Sequence, residues 1–331
     1  MTTAVVILNW NGRALLEQFL PSVVKHSSSA NIYVADNAST DDSIAFVKEN
    51  FSEVKIIQNK VNGGYAKGYN DALAALKEDI FILLNSDVEV TPNWLGPLEY
   101  MFASSPNIAV IQPKILDYKK KTHFEYAGAA GGFIDQLGYP YCQGRIFNTL
   151  EKDEGQYNED KEIFWASGAC LAIRRSVFEE VNGLDEDYFA HQEEIDLCWR
   201  IKNKGYKCWY NASSSVYHLG GATLNVMNPK KTFYNFRNSL YNLLKNVSGI
   251  KAYVFIFIRM LLDAVAGIQF LFQKRPQHFL AILKAHASFY LHFFQLKRKR
   301  SQGNDSQRYP LIFSIVWKYF IQKKRKFSEL K

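Results

Sequence analysis

A polar tripeptide at the end of an apolar run is the most informative feature of this chain. Residues 80–84 are all apolar, and Asn85, Ser86 and Asp87 follow them directly. Such a run is typical of a buried strand, and open α/β sheets bind their ligands at the carboxyl ends of the strands. A carboxylate with an amide two residues earlier suits a hard divalent cation that carries a diphosphate. An ordinary turn at a strand end is the alternative, and the tripeptide alone does not decide between the two.

The elements that must position this tripeptide alternate between short apolar runs and helical patterns. We predict strands over residues 4–8, 32–35, 54–58, 80–84 and 108–112, with helices over 13–25, 41–50, 65–76 and after Pro92. Alternation of this kind predicts a mostly parallel sheet with right-handed crossovers. The glycine-rich residues 126–145 are expected to form a hairpin or a flexible insertion, and residues 151–162 an acidic surface loop.

Polar residues also follow the first three predicted strands. They are Asn9 and Asn11 after the first strand, Asp36 and Asn37 after the second, and Gly64 and Lys67 after the third. Asp36 can accept a hydrogen bond from a nucleobase or a ribose, while Gly64 lets backbone amides approach a phosphate that Lys67 also reaches. Each residue alone also suits a turn, a cap or a solvated surface. Together, at one edge of a sheet, they predict a nucleotide site.

The basic charge of the chain lies in its last quarter. The 331 residues carry a formal net charge of +8, and 47% of them are hydrophobic, which is enough for a large core. Residues 251–331 hold 16 basic and 3 acidic side chains, a net of +13, whereas the first 250 residues hold 24 and 29. Basic clusters beside aromatic segments favour an anionic membrane surface. No nucleic-acid-binding motif accompanies the charge, so nucleic acid is not expected as a partner.

Helices are predicted in this basic region over residues 252–272, 276–295 and 309–321. The first is long enough to cross a bilayer, but Arg259 and Asp263 lie in its middle, four residues apart. Because burying both in lipid is costly, we expect a helix on the membrane surface or packed in the protein. A dimerisation unit is the alternative. The N-terminal apolar stretch is too short for a signal peptide, so we expect a cytoplasmic protein, peripheral at the inner face of the plasma membrane.

Nine ordered motifs resemble those of family 2 glycosyltransferases with the GT-A fold, and of rhamnosyltransferase-like bacterial members in particular. Four of them contain the strand ends above: residues 6–9, 36–41, 62–70 and 83–87. The others read Trp-Ala-Ser-Gly-Ala at 165–169, Gly-Leu-Asp-Glu at 183–186, Glu-Glu-Ile-Asp-Leu-Cys-Trp-Arg at 193–200, Tyr-His-Leu-Gly-Gly at 217–221 and Tyr-Asn-Phe-Arg-Asn at 234–238. The likeness covers residues 3–246. We therefore expect a catalytic domain over 1–246 and a helical extension over 247–331.

The resemblance implies a metal-dependent, inverting transfer of a sugar from a nucleotide-diphosphate donor to a hydroxyl of a glycan or lipid-linked acceptor. Asp87 would bind Mg²⁺ or Mn²⁺ directly, and His218 would complete the metal shell. Many relatives have an aspartate where this chain has Asn85, which can offer only a neutral oxygen or a bridging water. The implied donor-binding residues are Asn9, Asn11, Asp36, Asn37, Gly64, Lys67, Asn85 and Ser86.

The pair Glu193-Glu194 corresponds to the acidic pair of the family, whose second member is the general base. Glu194 would take the proton from the acceptor hydroxyl. Glu193, Trp165 and Gly168 would line the acceptor or sugar pocket, although a packed core tryptophan is the alternative for Trp165. A sugar nucleotidyltransferase would need a Gly-rich basic loop after the first strand, and a non-catalytic binding module would have no use for Glu194. These two functions are the alternatives to a glycosyltransferase.

Overall fold

A computed structural model describes residues 1–220, 228–300 and 312–330. Its strands are β1 (Thr3–Asn9), β2 (Asn31–Asp36), β3 (Lys55–Gln58), β4 (Ile80–Asn85), β5 (Val88–Val90), β6 (Ile108–Asp117), β7 (Gly132–Ile134), β8 (Pro140–Cys142), β9 (Arg145–Ile146), β10 (Thr149–Leu150), β11 (Lys161–Ile163), β12 (Cys170–Arg174) and β13 (Lys207–His218). Its helices are α1 (Arg13–His26), α2 (Ser43–Asn50), α3 (Gly64–Leu73), α4 (Leu95–Ser104), α5 (Arg175–Glu180), α6 (Glu193–Asn203), α7 (Pro229–Asn246), α8 (Lys251–Phe272) and α9 (Pro276–Arg298).

A nine-stranded sheet with the order β11-β13-β6-β12-β4-β1-β2-β3 forms the centre of the protein, and β5 pairs with β13. The strands β1 to β4 are parallel neighbours, as the alternating pattern predicts. β12 runs antiparallel between β4 and β6, so the fourth and fifth predicted strands are not adjacent. The predicted mostly parallel, mixed sheet is confirmed.

Both faces of the sheet are buried. Val5 and Ile7 of β1 point into the core on one face, where Leu20 of α1 packs. Val6 points into the core on the other face, with Tyr69 of α3. This alternation follows from the two-residue period of a strand. Because the helices cover both faces, the polar side chains at the strand ends meet at the carboxyl edge of the sheet.

The glycine-rich segment forms the predicted hairpin, with β7 antiparallel to β8. The third predicted C-terminal helix is shorter than predicted. Its first residues, 309–311, lie outside the described part of the chain, residues 312–314 are not helical, and residues 315–321 are helical, with Trp317–Ile321 as a π-helix. The side chains of Ile312, Ile315 and Tyr319 pack against Tyr141 and Ile146 of the hairpin region. The position of this segment therefore depends on tertiary packing and not on helix propensity.

Candidate active site at the carboxyl edge of the sheet

The ends of β1 and β2 are joined by hydrogen bonds between their side chains. Asp36 is 3% exposed, and its carboxylate accepts from Asn9 Nδ2 at 3.2 Å and from the backbone N–H of Ser39 at 3.0 Å. Asn11 Oδ1 accepts from the backbone N–H of Thr40 at 2.7 Å. Asn9 and Asn11 therefore shape the loop that carries Asp36, and Asp36 lies where a nucleoside would contact the sheet edge.

The loop after β3 is built around Asn37 and Gly64. Asn37 Nδ2 donates to Asn62 Oδ1 at 3.0 Å and to the carbonyl of Gly64 at 3.1 Å. Gly64 has a φ of +79°, and a Cβ there would lie 2.5 Å from the carbonyl oxygen of Phe189, so only glycine fits. Lys67 forms an ion pair with Asp71 at 2.9 Å, which raises the pKa of Lys67. Its predicted contact with a phosphate stays a prediction and requires exchange of this partner.

Asn85 and Asp87 lie close to His218, as predicted. Asp87 and His218 are buried, and His218 Nε2 lies 3.1 Å from Asp87 Oδ1. The amide nitrogen of Asn85 lies 3.5 Å from the same ring nitrogen. Glu125 Oε1 lies 3.3 Å from His218 Nδ1, on the other side of the ring. Burial alone would lower the pKa of His218, but the carboxylates of Glu125 and Asp87 raise it to about 10.

This arrangement fits a divalent ion that is also bound by substrate. Two ligands at adjacent octahedral positions are about 3 Å apart, which matches the separation of Asp87 and His218. Glu125 lies beside the other ring nitrogen of His218, where a carboxylate commonly orients a metal-binding histidine. No group of three or more His, Cys, Asp or Glu side chains suited to a metal occurs within residues 1–220, 228–300 and 312–330. The remaining ligands would therefore be Asn85, water and the diphosphate.

The acidic pair begins helix α6, next to this edge. Glu193 is 4% exposed, whereas Glu194 is more accessible, and one carboxylate oxygen of each has no hydrogen-bond partner in the described structure. Burial raises the pKa of Glu194 to about 7, and burial together with the charge of Glu194 raises the pKa of Glu193 further. Glu194 is therefore the more accessible residue of the pair, and its raised pKa lies near neutral pH.

The segment before α6 has an unusual backbone. Phe189, His191 and Gln192 all have positive φ, between +63° and +69°, without being glycine. Asn238 Nδ2 donates to the carbonyls of Ala190 and His191 at 3.0 and 2.6 Å, and Arg237 donates to the carbonyl of Tyr188 at 3.0 Å. Helix α7 thus stabilises a strained loop that places Glu194. The sequence showed the Arg-Asn motif but not this role.

The predicted sugar pocket is only partly open. Trp165 is 2% exposed, its indole N–H donates to the carbonyl of Phe133 at 2.8 Å, and its ring lies where a side chain at Gly132 would be. These contacts favour the packed-core alternative for Trp165. The carbonyl of Gly168 accepts from the hydroxyl of Tyr65 at 2.7 Å. The sequence missed Glu125, which no motif marked, and Gly221 lies outside the described residues.

Comparison with known proteins identifies the family. The model for Glycosyl transferase family 2 matches residues 4–181. An N-acetylglucosaminyl-diphospho-decaprenol L-rhamnosyltransferase of Mycobacterium tuberculosis is 28% identical over 233 residues, which are 65% of this chain and 75% of that protein. The rhamnosyltransferase WbbL of Escherichia coli is 27% identical over 169 residues, 48% of this chain and 62% of WbbL.

The fold is also found in solved structures. A mannosyltransferase of Pyrobaculum calidifontis, solved with GDP-Man and Mn²⁺, has a TM-score of 0.55 and 12% identity over 87% of this chain and 86% of its own. Residues 1–349 of TarS from S. aureus give a TM-score of 0.55 and 12% identity over 93% of this chain and 98% of that fragment. The chain belongs to glycosyl transferase family 2, is an enzyme of that family, and has the GT-A fold.

Proposed function

We propose that the enzyme transfers a hexosyl or rhamnosyl group, with inversion, from a nucleotide-diphosphate sugar to a hydroxyl of a glycan or lipid-linked acceptor. One observation carries this proposal: Glu194 is a half-buried residue whose carboxylate has no cationic partner among the described residues, and it lies at the edge that also holds Asp36 and Asp87. A general base needs a pKa near the working pH, and burial supplies it here.

In this reaction Glu194 accepts the proton of the acceptor hydroxyl. The oxygen then forms a bond to the anomeric carbon while the bond from that carbon to the diphosphate oxygen breaks on the opposite face. Attack opposite the leaving group inverts the anomeric configuration. Glu193, protonated because its pKa is the higher of the two, adds no second charge beside the base.

Asp87 and His218, with Asn85, would hold the divalent ion, which would offset the charge that develops on the leaving diphosphate. An imidazole ligand suits a transition metal better than Mg²⁺, so we favour Mn²⁺. The Mn²⁺ named with the Pyrobaculum mannosyltransferase supports this choice. The mycobacterial relative, named for a decaprenol-linked substrate, supports a lipid-linked acceptor.

Helix α8 supports a position at the membrane. Arg259 and Asp263 form an ion pair of 2.8 Å on its buried face, beside Tyr139. Its outer face is apolar and exposed at Val254, Phe257, Leu261, Val265, Ile268 and Phe272. The helix is long and apolar enough to cross a bilayer, but a buried ion pair with an apolar outer face is what a helix needs to lie on lipid while packed against protein. We propose peripheral binding to the cytoplasmic side of the plasma membrane.

Part of the basic cluster at 297–300 has internal partners. Lys299 contacts Asp185 at 2.7 Å, and Arg300 donates to the carbonyls of Val247 and Gly249 at 2.7 Å. Lys297 and Arg298 are exposed. Replacing these two with Gln should weaken flotation with anionic vesicles, by about 1 kcal/mol for each charge. A protein that does not float with any vesicle and forms a stable dimer through α8 and α9 would support the dimerisation unit instead.

A donor screen tests the proposed reaction. Hydrolysis of UDP-, dTDP- and GDP-sugars is measured with Mn²⁺ and with Mg²⁺, and the active donor is used in transfer assays. Asp87→Ala should abolish metal-dependent turnover and weaken binding of the nucleoside diphosphate. Full activity of Asp87→Ala in buffer with added metal would rule out the metal assignment.

A further inference from the structure

Arg145 differs from the other deeply buried arginines in what its guanidinium contacts. Arg145, Arg237 and Arg259 are 7%, 9% and 4% exposed. Arg259 is paired with the carboxylate of Asp263, and Arg237 donates to backbone carbonyls and an amide oxygen. Arg145 donates only to the thiol of Cys142, at 3.3 Å, and its Nε has no partner in the described structure.

A thiol is a weak acceptor, so this contact does little to replace the water that the guanidinium loses on burial. The ring of Tyr126, with its centroid 4.7 Å from the Arg145 guanidinium carbon, adds a cation–π contact. No carboxylate of residues 1–220, 228–300 and 312–330 forms an ion pair with Arg145. A buried guanidinium with free N–H groups is suited to a planar or tetrahedral anion.

The surroundings place Arg145 beside the active site. Tyr126, whose ring contacts the Arg145 guanidinium, directly follows Glu125 in the chain. Burial lowers the pKa of Arg145, but Cys142, Tyr126 and the charge of Glu125 raise it above its usual value. Lys231, near the start of α7, is also influenced by Glu125, although burial lowers the pKa of Lys231 overall. Neither cation forms an ion pair with Glu125 within the part of the chain that the structure describes. Two cations therefore lie near the metal-side carboxylate without an anionic contact.

We propose that Arg145, together with Lys231, binds a phosphate group of a substrate diphosphate. The inference rests on the proposed function and adds an anion-binding part to the pocket that Asp87 and His218 do not provide. The diphosphate belongs either to the nucleotide donor or to a lipid-linked acceptor. Both present the same phosphate oxygens, to which the guanidinium donates in a forked arrangement.

Calorimetry on the full chain tests this inference. The parent, Arg145→Met, Arg145→Lys and Lys231→Met are titrated with UDP, GDP and dTDP in the presence of Mn²⁺, and separately with a short-chain prenyl diphosphate. Arg145→Met should weaken at least one diphosphate by about 10-fold to 100-fold, the usual effect of losing hydrogen bonds to a charged group. Arg145→Lys should lie between parent and Arg145→Met, because it keeps the charge but loses the fork.

Arg174→Met is the matched control. Like Arg145, Arg174 forms no ion pair with a carboxylate of the described residues, but it donates to the carbonyls of Ile108, Phe102 and Ser105. It lies beside Ile80, at the opposite edge of the sheet. It should lower the melting temperature without changing any affinity.

The outcomes are distinct. Weaker binding of the nucleoside diphosphate alone assigns Arg145 to the donor, and weaker binding of the prenyl diphosphate alone assigns it to the acceptor. Affinities of Arg145→Met within twofold of the parent for every probe, with a lower melting temperature, would show that Arg145 only packs and would overturn the inference. A parent that binds no nucleoside diphosphate would contradict the proposed function itself, and the inference with it.

Discussion

Helix α6 carries two sets of carboxylates with opposite surroundings: Asp196 is paired with cations, whereas Glu193 and Glu194 are not. Asp196 is completely buried, 2.7 Å from both Lys245 Nζ and Arg200 Nε. Burial would raise the pKa of Asp196, but Lys245 and Arg200 hold it well below its usual range. Glu193 and Glu194, less than one turn away, form no ion pair with a cation of the described residues, and burial raises the pKa of both.

The difference indicates a structural role for Asp196 and a chemical role for Glu194. A buried carboxylate with cationic partners stabilises the position of a helix, whereas one without them keeps a proton affinity that chemistry can use. Asp196 and Arg200 form such an ion pair, one helical turn apart on α6. Asp196 therefore stabilises the helix that carries Glu194. Substitution of Asp196 should lower stability, whereas substitution of Glu194 should lower activity.

The largest expected effect is on catalysis by Glu194. Glu194→Gln should lower the rate of sugar transfer by ~10²–10⁴, because the amide cannot accept the acceptor proton. Binding of the nucleoside diphosphate should remain near that of the parent in calorimetry. Glu193→Gln is the matched control and should keep most activity, since Glu193 is already protonated. Loss of donor affinity alone in Glu194→Gln would place the base elsewhere.

The next effect is on stability. Asp196→Asn leaves Arg200 and Lys245 without one buried partner and should lower the free energy of unfolding by about 3 kcal/mol. Urea denaturation measures it. Asp71→Asn is the control, because its pair with Lys67 is exposed and should contribute less than about 1 kcal/mol. Equal stability of Asp196→Asn and the parent would contradict the anchoring role.

A smaller effect is expected at the strained loop. Asn238→Ala removes the donor to the carbonyls of Ala190 and His191, so Glu194 should be less well positioned. We expect kcat to fall about tenfold, equivalent to one such hydrogen bond, with little change in donor affinity. An unchanged kcat with a lower melting temperature would make Asn238 structural only.

A separate effect is expected on the pH dependence of stability. The pKa of Glu194 is about 7 in the folded state against about 4.3 in an unfolded chain. The contribution of Glu194 to the free energy of unfolding is therefore complete below about pH 4, and it is lost as the pH rises through 7. Relative to the parent, Glu194→Gln should melt at a higher temperature at pH 8 than at pH 4. Scanning calorimetry at both pH values measures it, and a difference that does not change with pH would argue against the raised pKa.

The sequence predicted the parts of the site that follow from local rules. Strand ends gather at one edge because the βαβ pattern requires it, so the positions of Asp36 and Asp87 were predictable, and His218 came from the family resemblance. Helix α8 was predicted from its composition, and the structure pairs Arg259 with Asp263, which the sequence places four residues apart in its middle.

The sequence could not predict contacts that depend on tertiary packing. Nothing near Glu125 indicates that it meets His218, 93 residues along the chain, and Trp165 reads the same whether it lines a pocket or fills the core. The segment at 309–321 has the periodicity of a helix, but its described part is helical only over residues 315–321, where Ile315 and Tyr319 pack into the hairpin region.

A pH profile of single-turnover transfer tests the central claim that the unpaired carboxylate Glu194 is the base. With the parent enzyme and the donor identified by the screen, the rate should rise about tenfold per pH unit below pH 7 and level off above it, following the pKa of about 7. Glu194→Gln should be slow and independent of pH over the same range. A variant that keeps the parent's profile, with its inflection near pH 7, would contradict the assignment of Glu194.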